Sequence, residues 1–201
     1  MALNLANNNS LASITALPAS ISGGAMTLIS TATASSSATL SFTDIDDTYD
    51  EYVFKFINIH PANDSSSELR FNLSSDGGSN YNVTKTTTHF ISQHAESGAE
   101  ASLEYRGAGD LAQGTGFQPL TVDLGNDADQ NASGELTLYN PSSTTFVKHF
   151  TSRINITQSS NYSVESQVAG YGNTTSAVDA IQFKMETGNI DSGVIKLYGI
   201  S

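Results

Sequence analysis

The chain has 201 residues, of which 14% are charged, with eight Lys and Arg against twenty Asp and Glu and a net charge of −12 at pH 7. That length suits one domain with a real core. The absence of cysteine excludes a disulfide scaffold, a thiolate metal site and a cysteine nucleophile. Few, scattered cations on an acidic chain are unsuited to phosphate backbones or acidic membrane surfaces, so no nucleic acid partner and no membrane insertion is expected.

Ser and Thr together make up about a quarter of the chain. With Val, Ile, Phe and Tyr beside them and little Glu, Lys or Arg, the composition favours strands with hydroxylic outer faces over helices. From Met1 to Thr43 there is neither a charged residue nor a histidine. Residues 1–24 read as an N-terminal arm, with Leu3, Leu5, Leu11, Ile14, Leu17 and Ile21 spaced among Asn, Ser and Ala and Gly23-Gly24 as a hinge. Leu11, Ile14 and Leu17 fit one short helical face capped by Ser10 and stopped by Pro18. The arm is expected to become ordered against a partner. It lacks a basic flank, and Asn7, Asn8 and Asn9 interrupt its apolar stretch, so it is not read as a signal peptide and folding in a cytoplasm is expected.

Residues 25–201 read as a single all-β domain. Ala38, Leu40 and Phe42 alternate with polar residues. In Glu51 to His60, Tyr52, Phe54 and Phe56 point one way and Val53, Ile57 and Ile59 the other, which predicts a central strand covered on both faces. Pro61 to Asp64 turns the chain, Leu69, Phe71 and Leu73 give another strand, and Asp76-Gly77-Gly78 forms a loop tip. Tyr81 to Ile91 is Thr-rich and strand-like, with a short strand at Leu103 to Tyr105. Further strands follow at Glu135 to Tyr139, Thr144 to about Ile156, Val164 to Tyr171, Ala180 to Met185 and Val194 to Tyr198. Asn140-Pro141-Ser142-Ser143 turns between the first two, and Gly188, Asn189, Asp191 and Gly193 punctuate the last hairpin. Nine or ten short strands without a long helix predict an antiparallel β-sandwich, jelly-roll-like in topology.

No catalytic motif occurs. His89 and His94, five apart on a strand, face opposite ways and make a poor metal pair; with His60 and His149 they read as surface or interface residues. Asp44, Asp46, Asp47 and Asp50 read as a solvated turn. Asp123, Asp127 and Asp129 are weak Ca²⁺ candidates in a loop that lacks the glycine and closing glutamate of an EF-hand. Sugar stacking favours Trp, which the chain lacks, leaving Tyr81, Tyr105, Tyr162 and Tyr171 as weaker platforms. No cofactor is expected.

Thr48 to Pro61 (TYDEYVFKFINIHP), Gln113 to Phe150 (especially SGELTLYNPSSTTFVKHF) and Gly170 to Ser201 (GYGNTTSAVDAIQFKMETGNIDSGVIKLYGIS) resemble small structural proteins of tailed bacteriophages, particularly marine and cyanobacterial ones. The opening NNNSLASITALPASISGGAM is similar to the start of such proteins. The resemblance implies a non-enzymatic virion component with a β-sandwich fold, assembled in the host cytoplasm. It implies a tail fibre or tail-associated appendage docked on other virion proteins by its arm, in contact with host surface glycan and homotrimeric, with uncharged faces such as Thr84 to Thr88 hidden at the three-fold axis. A capsid decoration protein and a small virion-associated glycan hydrolase are the alternatives.

Overall fold

The computed structural model describes residues 26–64 and 67–201. The candidate arm residues Leu3, Leu5, Leu11, Ile14, Leu17 and Ile21 lie outside them. The described residues form twelve strands and no helix: β1 (Thr27–Ser37), β2 (Leu40–Phe42), β3 (Glu51–Pro61), β4 (Leu69–Ser74), β5 (Lys85–Ala95), β6 (Ala101–Tyr105), β7 (Gln118–Pro119), β8 (Ala132–Tyr139), β9 (Lys148–Thr157), β10 (Tyr162–Gly172), β11 (Ala180–Met185) and β12 (Ile190–Ile200).

Eight strands pair in the order β1-β12-β3-β8-β9-β10-β5-β6, and four more in the order β2-β11-β4-β7. All pairings are antiparallel. The two sheets pack as a β-sandwich, and the first five strands alternate between them. The predicted fold class is therefore the observed one, with unequal sheets.

Between the sheets, Phe183 of β11 meets Phe54 and Phe56 of β3 at ring-centroid distances of 5.4 and 5.3 Å, and Phe42 of β2 at 6.2 Å. Phe71 of β4 packs edge-on against Phe150 of β9 at 4.9 Å. Offset and edge-on rings of this kind add to the area they bury. Alternation places these residues: in β9, Lys148, Phe150, Ser152, Ile154 and Ile156 are buried while the residues between them are not.

Two features of β3 differ from the expectation. Among the described residues no second sheet covers its other face, so Lys55 is half-buried and Ile57 exposed, although Val53 is buried there by its neighbours. Ile59 nevertheless lies in the core. A register shift between Phe56 and Ile59, with Asn58 at φ +51°, inserts an extra residue and turns Ile59 inward. Gly193 of β12 fits against this bulge: a Cβ there would stand 2.6 Å from the Asn58 carbonyl oxygen.

Candidate functional site

Among the described residues the outer face of the eight-stranded sheet has no second sheet over it. Cross-strand register orders its side chains into rows. Val53 pairs with Thr137, Thr137 with Thr151, Thr151 with Ala169 and Ala169 with Thr88. These small side chains form a floor across five strands, about 20 Å at the usual interstrand spacing. Two residues further along each strand, on the same face, stand longer side chains. One wall is Lys55, Glu135, Arg153, Gln167 and Phe90, again in register. The other is Tyr139, His149, Tyr171 and Thr86. The result is a trough perpendicular to the strands.

Cavities of about 210 and 320 Å³ meet over Thr151 and Ala169 on this floor, and a third of about 350 Å³ opens beside Lys55, Glu135, Arg153 and Glu165. Lys55 pairs with Glu135 and Arg153 with Glu165, so the charges of this wall compensate. The hydrogen bond from Arg153 holds the Glu165 carboxyl below its ordinary range. On the opposite wall the His149 and Tyr171 rings lie 5.9 Å apart, and the Tyr139 hydroxyl and Thr151 Oγ1 are 3.2 Å apart. Hydroxyls, carboxamides and aromatic faces in one groove can bind a polyhydroxylated chain by paired donor and acceptor contacts together with stacking.

Of the candidate tyrosines only Tyr171 lines the trough. Tyr105 lies on edge strand β6 with its hydroxyl donating to Asp110, Tyr162 donates to Glu100, and Tyr81 lies in the loop before β5. His149, read as a surface residue, also belongs to the trough. Tyr139 also stands on this wall; its place there follows from strand pairing, which composition does not carry.

His89 corrects the surface or interface reading. It is fully buried, with Nε2 2.9 Å from the Ser166 hydroxyl and Nδ1 beside Gly109, and burial pushes its pKa down. Ser166 is 1% exposed, so this hydroxyl–imidazole pair is closed to substrate. His94 is exposed, and His60 lies with Nε2 3.3 Å from the Asp127 carbonyl oxygen. In the loop before β8, the carbonyls of Asp123, Asp127 and Asp129 accept hydrogen bonds from Ser159, Gln130 and Asn131. Among the described residues no group of three or more His, Cys, Asp or Glu is arranged to hold a metal ion. The raised carboxyl is elsewhere, at Glu68, pushed up by burial and tied to Arg70, which also bridges to Glu186 at 2.6 Å.

No protein-family model, no curated protein and no solved structure matches this chain.

Proposed function

We propose that the protein is a non-enzymatic structural component of a bacteriophage particle, a tail fibre or tail-associated appendage that docks through residues 1–24 and presents the trough to host surface glycan. The trough is the observation that carries the reading: a polar, charge-compensated groove with an aromatic wall on the open face of a rigid sandwich. The resemblance of the three sequence stretches to phage structural proteins supplies the particle. The trough favours an adhesive appendage over capsid decoration, because decoration alone gives no reason for a long polar groove on the outer face.

Proteomics and immunogold microscopy of purified particles test this assignment. The protein is expected at fixed stoichiometry with label on the tail. Label spread over the capsid supports decoration instead, and absence of the protein from particles overturns the virion reading. Deleting residues 2–24 is expected to leave the sandwich folded and to remove the protein from the particle.

A further inference from the structure

Four charged side chains line the three cavities of the trough: Lys55, Glu135, Arg153 and Glu165, two of each sign. They sum to zero, so the net charge of −12 is carried by the rest of the chain. Both cations are engaged. Lys55 pairs with Glu135 and Arg153 with Glu165, and register sets Glu135 between Lys55 and Arg153. The polar groups beside them are neutral. Gln167 Nε2 donates to Glu165 Oε1 at 3.0 Å, which leaves its carbonyl oxygen as an acceptor, and Thr88, Thr137 and Thr151 put hydroxyls along the floor.

We propose that the trough selects uncharged glycans over acidic ones, with Glu135 and Glu165 as the residues that determine this specificity; the inference rests on the reading of the trough as a glycan groove. An anionic polymer is repelled on approach by a chain of net charge −12. Once in the groove, its carboxylate or sulfate must share Lys55 or Arg153 with the glutamate already paired there. Two anions at one cation repel each other, and that repulsion discriminates against the acidic chain. A neutral sugar meets neither cost. Its hydroxyls donate to the glutamates and accept from Arg153 and the threonines with both ion pairs intact, while a ring face stacks on Tyr171.

Host surface polysaccharide, separated on an anion exchanger into neutral and acidic fractions and titrated against the full chain, tests this. The wild type is expected to bind the neutral fraction at least about tenfold more tightly than the acidic one. Its affinity for the neutral fraction is expected to stay within about twofold between low and high salt, because no net ion pair forms. The double variant Glu135→Gln, Glu165→Gln leaves Lys55 and Arg153 unpaired. It is expected to shift the ratio of the two affinities at least about tenfold towards the acidic fraction, a gain that high salt removes. A wild type that prefers the acidic fraction overturns the proposal and leaves the glycan groove standing, as does a folded double variant with an unchanged ratio. Binding of neither fraction overturns the glycan reading itself, and this proposal with it.

Discussion

The fully buried Lys85 amine donates to the Asn72 Oδ1 and, at 2.8 Å, to the Val83 carbonyl oxygen. The same Oδ1 accepts the Leu73 amide at 2.9 Å, while Asn72 Nδ2 donates to the carbonyls of Tyr81 and Thr115 at 2.6 and 2.9 Å. One carboxamide thus joins β4, the start of β5 and two loops. Burial pushes the Lys85 pKa down to about 7, against about 10.4 for an unfolded lysine.

The unfolded chain therefore binds more protons between about pH 7 and pH 10, and Lys85 makes stability rise with pH across that window. Below it the amine is protonated in both states, and its contribution levels off. Denaturant unfolding at a series of pH values is expected to show this rise, and Lys85→Met is expected to flatten it. An identical slope in both chains contradicts the assignment.

Gly193→Ala is expected to cost roughly 2 kcal/mol or more. Its φ is +121°, and the added carbon would lie 2.6 Å from the Asn58 oxygen and 2.8 Å from the Ile59 Cα. Gly107→Ala, where a Cβ would meet nothing within 4 Å, is the control and is expected to melt with the wild type. Urea midpoints of the two variants check the difference.

Tyr52 ties the turn before β3 to that strand, its hydroxyl donating to the Asp46 carboxylate at 2.7 Å. This bond holds the Asp46 carboxyl below its ordinary range. The folded-state value is the lower one, so the contribution is present above the unfolded pKa and is lost as pH falls through the folded one. Tyr52→Phe is expected to lower stability at neutral pH and to make the acid limb of the stability profile shallower, as measured by unfolding between pH 2 and pH 6.

Alternation made much of the sandwich legible in the sequence. Phe54, Leu73, Ile154 and Phe183 each lie on the buried side of a strand whose period of two is visible in the residues. Strand β1 carries no such pattern: only Ala34 of its eleven residues is buried, and an edge strand of small hydroxylic residues resembles a linker. Parity puts Ile59 on the wrong face because a bulge at Asn58, in the left-handed region, breaks it. Lys85 and His89 share parity with Ile91, so their inward direction was readable, but the burial of a lysine was not. The trough depends on which strand lies beside which. Thr137, Thr151, Ala169 and Thr88 are scattered in sequence, and only pairing makes them a floor.

Equilibrium binding to purified host surface polysaccharide, with the products assayed in the same sample, tests the account of the trough most directly. Stoichiometric binding without oligosaccharide release is predicted, weakened at least about tenfold, or about 1.4 kcal/mol, in Ala169→Trp, which fills the floor, and in Tyr171→Ala, which removes part of the aromatic wall. Release of oligosaccharides, or binding that both variants leave intact, would contradict it.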